Sequence, residues 1–173
     1  RAQLPIGLED EFRGIVNLLE KKGYKFEGDK GETIVEMEIP AEMMDDVNKY
    51  HNELVEKIVE NDEELTGKYL AGEKISLEEL KKNLRKAVID YRIVPVFCGS
   101  ALKNKGVQFA LDAVADYLPS PVDMPAIKGH DPKTDEEIIV NAKDDEPLTA
   151  LAFKLQNDPF DGQLIYFRVY SGV

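Results

Sequence analysis

Residues 91–121 read YRIVPVFCGSALKNKGVQFALDAVADYLPSP, and we expect the rest of the chain to be organised around this stretch. Ile93 to Cys98 is a nearly continuous apolar run, which is typical of a parallel strand covered on both faces. Small residues at 99–101 then favour a tight loop. Apolar residues return at helical spacing until Pro119, which cannot continue a helix. They are Val107, Ala110, Leu111, Val114 and Leu118. The stretch predicts a strand, a loop and a helix, and ligands of open α/β sheets bind at such loops.

The composition is that of a globular chain with an acidic surface. Its 173 residues are 43% hydrophobic and carry a formal charge of −12 at pH 7. We therefore expect no membrane binding and no direct nucleic-acid binding, since both favour a basic surface. Cys98 is the one cysteine, and we expect it to be a small buried hydrophobe. The chain begins without an initiator Met or a signal peptide, so we expect a piece of a longer protein.

A small antiparallel sheet is predicted at the start of the chain. The strand-like runs are 2–6, 12–19, 24–26 and 33–39. The last two runs flank Glu27 to Gly31, whose glycines suit a hairpin loop. In the last run Ile34, Glu36 and Glu38 share one face, which we expect to be solvated.

Three helices are predicted after this sheet. Pro40 suits a helix start, and an apolar stripe follows it. The stripe consists of Met44, Val47, His51, Leu54, Val55 and Ile58. Asn61 or Asp62 can cap a second helix, and Ser76 with Glu79 forms a capping box for a third.

Negative charge is concentrated in residues 41–80, where twelve Asp and Glu residues against four Lys give a balance of −8. Such a run is either a solvated helix face or a docking surface for a basic partner, and the spacing does not decide between them. Docking would need uncovered apolar anchors beneath a charged rim. The anchor candidates are Met43, Val47, Tyr50 and Leu54, and the rim candidates are Glu53, Glu56 and Glu60.

A change of composition after the central helix predicts a domain boundary. Pro119, Pro121 and Pro125 favour a stiff linker, which we place at 122–147 after a first domain that ends at 121. From Leu148 the pattern predicts strands with a turn at 158–162.

These last strands have apolar side chains without partners. Leu164, Phe167 and Val169 have too few neighbouring strands to cover them. We therefore expect this region to be disordered, paired with another molecule or packed on the first domain.

The most informative motif is CGSALKNKG at 98–106. Small residues allow backbone N–H groups to approach a planar base, and a donor aimed at an exocyclic oxygen accepts guanine and opposes the adenine amino group. The same residues also suit an ordinary turn between a strand and a helix. Asn104-Lys105 is not a complete Asn-Lys-x-Asp motif, because Val107 stands where the Asp belongs. The chain has no GxxxxGK[ST] phosphate loop, so these residues cannot complete phosphoryl chemistry.

The sequence predicts neither a catalytic residue nor a metal site. His51 lies on a helix stripe and His130 in the linker, without a second His or a Cys at ligand spacing. The acidic runs at 45–46 and 144–146 lack the alternating ligands of a calcium loop. We interpret them as solvated charge.

Four segments together closely resemble elongation factor G of bacteria or organelles, the translational GTPase that drives translocation on the ribosome. They are QLPIG at 3–7, FRGIVNLL at 12–19, residues 91–123, and LTALAFKLQNDPFDGQLIYFRVYSGV at 148–173. Each segment is short, but their combination is specific and spans nearly the whole chain.

The resemblance implies an α/β fold. Residues 1–121 would be the C-terminal part of a doubly wound P-loop GTPase domain, with an α+β insert of a small antiparallel sheet plus helices at about 12–90. Residues 148–173 would be the first strands of a β-barrel second domain. The phosphate loop, both switches and the Asn-Lys-x-Asp motif would precede Arg1, and the tRNA-mimicking domains would follow Val173.

The resemblance also implies a function. The family's fifth guanine motif would fall on Ser100, Ala101 and Leu102, with the Ala101 N–H facing guanine O6. The parent GTPase would bind GTP or GDP with Mg²⁺, whereas this chain alone is expected to bind no cofactor and to be inactive. The acidic helices at 41–80 would dock the ribosomal stalk protein, and other domains would meet the tRNA–mRNA complex. The location would be cytoplasmic or organellar.

Two alternatives remain open at the level of sequence. The chain can be a non-catalytic interaction module whose base loop is idle. The parent can also be a paralogue that serves ribosome recycling, a release-factor GTPase or a tetracycline-protection protein.

Overall fold

An antiparallel sheet begins the chain in the computed structural model, which describes residues 1–131 and 133–173. Its strands are β1 (Gln3–Ile6), β2 (Gly14–Asn17), β3 (Lys22–Glu27) and β4 (Thr33–Met37), paired in the order β1-β2-β3-β4. The predicted hairpin joins β3 to β4, with Phe26 opposite Ile34. The predicted wet face is confirmed, since Ile34, Glu36 and Glu38 are exposed.

Three helices follow the sheet, with starts close to the predicted ones. They are α1 (Met44–Val59), α2 (Glu63–Leu70) and α3 (Leu77–Ile89). A short 3-10 turn after Pro40 leads into α1. The Asp62 side chain caps α2, and Ser76 with Glu79 forms the predicted capping box of α3. Such caps satisfy backbone groups that helix ends leave unpaired.

The main core lies between the sheet and these helices. Val47 and Ile58 of α1 and Leu84 of α3 are at most 1% exposed. The other buried members are Leu4, Ile6, Val16, Leu18, Leu19, Leu54, Val55, Val59, Leu65, Leu80 and Tyr117. Burial of each large apolar side chain contributes about 1.5–3 kcal/mol, so this cluster is what holds the helices to the sheet.

A smaller cluster lies on the other side of β2. Ile15 and Val16 are adjacent, and successive strand side chains point to opposite faces. Val16 therefore joins the main core, whereas Ile15 packs with Phe12 and Phe26. Phe109 also contacts this second cluster.

The apolar run at 93–98 is not a strand in the part of the chain that the structure describes. Ala2 N–H donates to the Val96 carbonyl at 2.8 Å, and Ile93 and Phe97 pack on the main core. Val94 is nevertheless 80% exposed and Val96 is 58% exposed. The prediction of a parallel strand covered on both faces is therefore wrong here, because a strand requires a ladder of backbone bonds to neighbouring strands.

The helix predicted after the loop is present as α4 (Val107–Tyr117). Its N-cap is Gly106, whose φ of 84° is a left-handed conformation that glycine adopts without strain. Leu118 ends the helix before Pro119, as predicted. Leu111 is 64% exposed and Val114 is 54% exposed, so α4 has an uncovered apolar face.

The chain divides into two compact units, Arg1–Leu118 and Pro119–Val173. In the second unit β5 (Ile127–His130) pairs with β6 (Glu137–Val140). The segment 122–147, predicted to be a linker, contains this hairpin. The β-branched residues at 138–140 favour a strand and outweigh the stiffening effect of the prolines before them.

A second hairpin follows, made of β7 (Thr149–Asp158) and β8 (Gly162–Ser171). Both strands are regular, so disorder, the first of the three expected states, is wrong. The expected lack of partners is confirmed for Phe167, which is 59% exposed, and for Val169, which is 45% exposed, whereas Leu164 is partly covered. Among the described residues the chain is thus a mixed α/β fold with antiparallel sheets and four α-helices.

No helix of the described ranges is both long enough and apolar enough to cross a membrane.

Candidate functional site

The 98–106 loop is closed by backbone bonds at its base. Ser100 and Lys105 donate a backbone hydrogen bond to each other, with N···O distances of 2.8 and 3.0 Å. Within it, the Asn104 N–H donates to the Ala101 carbonyl at 3.1 Å. Asn104 has a φ of 48°, a left-handed conformation that asparagine tolerates better than most residues. The loop therefore has a defined shape immediately before α4.

The three residues predicted to bind guanine are all in this loop, but they differ in what they offer. The Ser100 N–H is used in the bridge to Lys105. Ala101 and Leu102 are exposed, Leu102 to 96%. Across residues 1–131 and 133–173, no acceptor is found for the N–H of either residue. Two adjacent backbone donors are thus available to a ligand.

Cys98 enters the loop in a form that does not suit nucleophilic chemistry. Its backbone N–H donates to the Oε1 atom of Gln3 at 3.3 Å, and Gln3 is 5% exposed. Burial raises the pKa of the Cys98 thiol to about 11. The thiol is protonated at neutral pH and packs on the second cluster, but it is only partly buried and so more accessible than predicted.

The turn between β3 and β4 contacts the 98–106 loop, a contact that the sequence did not predict. The Nδ2 atom of Asn104 donates to the Lys30 carbonyl at 2.9 Å. The Nε2 atom of Gln108, in the first turn of α4, donates to the Gly31 carbonyl at 3.2 Å. The partners are 74 and 77 residues apart in the chain, so no local pattern could have shown them.

The acidic helices differ from the predicted docking surface. Val47 is 0% exposed and Leu54 is 7% exposed, because both face the sheet from α1. The expectation that these two are uncovered anchors is therefore wrong. Met43 and Tyr50 are partly buried against the main core. The Arg1 guanidinium also lies 3.9 Å from the centre of the Tyr50 ring.

The predicted rim residues are exposed, but two of them have partners. Glu56 accepts a hydrogen bond from the Tyr69 hydroxyl at 3.1 Å, and Glu60 pairs with Lys57 at 2.9 Å. Within the described ranges Glu53 has no ion-pair partner. The carboxylates therefore remain accessible, with Glu53 the least engaged of the three.

Exposed apolar side chains occur at α2 and α3 instead. Leu70 is 80% exposed, Leu77 is 39% exposed and Tyr69 is 37% exposed. Tyr69 and Leu77 line a cavity of about 380 Å³, which we call the helix groove. Its lining includes Leu19, Glu20, His51, Glu73 and Ile75. The helix groove thus combines apolar side chains with Glu20, Lys21 and Glu73, and none of the four predicted anchors is among these lining residues.

The histidines and carboxylates do not form a metal centre among the described residues. His51 uses its Nδ1 atom in a hydrogen bond to the Leu18 carbonyl at 2.7 Å, which agrees with a structural role. In the same ranges no group of three or more His, Cys, Asp or Glu side chains is placed to hold a metal ion.

No model of a known protein family matches this chain. The fold is similar to the crystal structure of a protein from Thermus thermophilus, with a TM-score of 0.75 and 31% sequence identity. The match covers 99% of this chain and 23% of the Thermus protein. This chain thus corresponds to about a quarter of the length of that larger protein.

Proposed function

We propose that the 98–106 loop is the guanine-base loop of a translational GTPase of the elongation factor G type, of which this chain is a part. The observation that carries the proposal is the pair of exposed, unpaired N–H groups at Ala101 and Leu102. The sequence resemblance to elongation factor G supports it.

The chemistry of the loop suits guanine. The base presents a carbonyl oxygen at position 6, where adenine presents an amino group. A backbone N–H at that place gains an acceptor from guanine and meets another donor from adenine, which leaves a polar group unpaired. Guanine selection would then depend on where the Ala101 N–H is held, and not on the side chain.

The rest of a GTPase site would come from residues outside this chain. The chain carries no phosphate loop, and its described residues hold no cluster of metal ligands. Mg²⁺ would neutralise phosphate charge in such a site, and we assign none of its ligands to these residues. In this proposal the chain supplies base recognition, the α+β insert and the first strands of a β-barrel.

The acidic helices suit a second role, docking of a basic partner. Residues 41–80 carry a balance of −8, and the helix groove is lined by apolar side chains together with Glu20 and Glu73. Such a charge distribution raises the association rate of a basic partner. The resemblance favours the ribosomal stalk protein as this partner.

A non-catalytic interaction module is the second candidate function. Leu77 is exposed in the lining of the helix groove, and Leu70 is 80% exposed at the end of α2. These exposed side chains favour a binding role that does not need the loop. The two functions separate in one measurement, since only the first requires nucleotide to contact residues 100–102.

The experiment uses the full-length protein that contains these residues. Fluorescent GDP and ADP are titrated separately, and amide hydrogen exchange is followed at residues 100–102. We expect strong preference for GDP, with GDP slowing exchange at Ala101 and Leu102, and GTP hydrolysis that ribosomes stimulate. Equal binding of the two nucleotides, or unchanged exchange at 100–102, would contradict the proposal and favour the interaction module.

A further inference from the structure

We infer that the β3–β4 turn positions the 98–106 loop for base recognition, so that Gly31 and Asn104 are positioning residues for guanine. This inference rests on the function proposed above. We call the four residues Lys30, Gly31, Asn104 and Gln108 the turn contact.

The Asn104 side chain is the central element of the turn contact. Its Nδ2 atom donates to the Lys30 carbonyl, while its backbone N–H donates to the Ala101 carbonyl. Asn104 thus links Lys30 in the turn to Ala101, whose own N–H is unpaired. Displacement of Asn104 therefore moves the peptide that joins Ala101 to Leu102 and contains the unpaired Leu102 N–H, and it moves Ala101 with it.

Gly31 permits the close approach of the two segments. A Cβ atom at this position would lie 2.8 Å from the Lys103 carbonyl oxygen and 3.0 Å from that of Asn104. Both distances are shorter than van der Waals contact, and both atoms belong to the backbone of the loop. Gly31 also has a φ of 62°, so a side chain here is disfavoured both by the close contacts and by the left-handed backbone.

The turn itself is held firmly enough to act as a support. The Gly31 N–H donates to the Gly28 carbonyl at 3.2 Å, which closes the turn. In β3, the Tyr24 ring lies 4.9 Å from the Phe109 ring of α4, and Phe26 meets the same ring edge-on at 6.2 Å. The hairpin and the start of α4 therefore form one packed unit, with the 98–106 loop between them.

The loop has little other support on this side. Besides the turn contact, the Lys105 ammonium donates to the Phe12 carbonyl at 3.3 Å. The Lys103–Asp10 pair is longer, at 3.8 Å, and Asp10 is fully exposed, so solvent screens it. The turn contact is thus the shortest tie between the tip of the loop and the insert.

The test uses two variants in the full-length protein. Asn104→Gly removes the side-chain bond and keeps a residue that adopts the left-handed backbone. Gly31→Ala pushes the loop away from the turn. Its matched control is Gly72→Ala, because Gly72 has a φ of 72° but no atom within 4 Å of a Cβ. The control carries the same backbone strain without the contact.

A comparison of two nucleotides separates a change in the position of the loop from a loss of protein stability. GDP is compared with the diphosphate of 2,6-diaminopurine riboside, which carries an amino group in place of O6. We expect each variant to weaken GDP binding about three- to tenfold, the range for loss of one hydrogen bond. Binding of the diaminopurine nucleotide and both affinities of Gly72→Ala should change less than about twofold.

Each outcome has a definite meaning. An equal loss for both nucleotides would show a merely structural role and overturn the inference, and so would unchanged GDP binding in both variants. A wild-type protein that binds the two nucleotides equally would instead refute the proposed function. In that case the turn contact is still measured by amide hydrogen exchange at residues 104 and 105 of the nucleotide-free protein. We expect exchange at these two positions to be faster in Asn104→Gly than in wild type.

Discussion

At the scale of single residues, Glu79 shows how a local motif and a distant charge act on one group. Its carboxylate accepts hydrogen bonds from Lys68 at 2.8 Å and from the Ser76 backbone at 2.9 Å. These contacts, Lys68 first, lower the pKa of Glu79 from 4.5 to about 2. A lowered folded-state pKa stabilises the protein above the unfolded value, and the stabilisation is lost as pH falls toward the folded value.

We therefore predict that Glu79→Gln makes the free energy of unfolding depend less on pH under acidic conditions. The free energy of unfolding of wild type should exceed that of the variant at pH 6, and the difference should shrink steadily between about pH 5 and pH 2. Urea unfolding at several pH values measures this. Glu78→Gln in the same helical turn is the control, since Glu78 has no ion-pair partner in the described ranges. A difference that stays constant with pH would contradict the prediction.

The residue scale also shows what a sequence can reveal. The Ser76–Glu79 capping box and the Asp62 cap are contained within four residues, so their side-chain chemistry alone predicts them. Asn104 gives no such signal. Its bond to the Lys30 carbonyl depends on how two distant segments pack, and an asparagine in a loop suits many other arrangements.

At the scale of elements, α1 shows where pattern analysis succeeded and where it failed. The apolar stripe placed Val47 and Leu54 on one face, and both are buried on the sheet. The docking hypothesis assigned the same residues to the surface, which is incompatible with that stripe. The periodicity of a helix identifies its buried face. Whether a residue near a helix end, such as Leu70, is covered depends on the packing of other elements, which the periodicity does not show.

The exposed face of α1 yields a prediction about association. Under the proposed docking role, changing Glu53, Glu56 and Glu60 to Lys should slow association with the C-terminal domain of the ribosomal stalk protein about tenfold at low salt, with a smaller effect at high salt. Stopped-flow fluorescence measures the rates.

A control with the same change of charge is available elsewhere in the chain. Glu136, Asp144 and Asp145 are exposed, and their change to Lys should leave the rate nearly unaltered if steering is local. An equal slowing by both triple variants would indicate a net-charge effect, and no slowing by the first would remove the electrostatic part of the proposal.

The segment at 93–98 shows why element prediction needs neighbours. Its apolar, β-branched residues favour a strand, but a segment forms a strand only when its backbone pairs with a second segment. Ile93 and Phe97 find core partners, whereas Val94 and Val96 do not. The pattern thus predicted that these residues are buried, but it could not show which of them have neighbours to pack against.

At the scale of the whole molecule, the buried side chains are distributed unequally between the two units. In the described residues, those of the second unit are Val140 and Ser171, and all others belong to residues 1–118. We predict that residues 1–118 expressed alone retain cooperative unfolding in urea and a native far-ultraviolet spectrum for α1 to α4. Loss of the cooperative transition would show that the first unit depends on the second.

The whole chain also has a predicted limit. We expect these 173 residues alone to bind no GTP measurably and to hydrolyse none, because phosphate contacts and Mg²⁺ provide much of the stabilisation in such sites. Isothermal calorimetry and a phosphate-release assay test this. Micromolar affinity, or turnover above that of buffer, would contradict it.

The turn contact has a further consequence for the order in which the chain acquires its structure during synthesis. Strands β1 to β4 end at Met37 and pair only with their neighbours in sequence, so this sheet can form early. The 98–106 loop leaves the ribosome much later and then meets a turn that is already shaped. The loop therefore takes its conformation against a part of the chain that has already folded, and slow formation of the β3–β4 hairpin would delay the folding of the 98–106 loop as well.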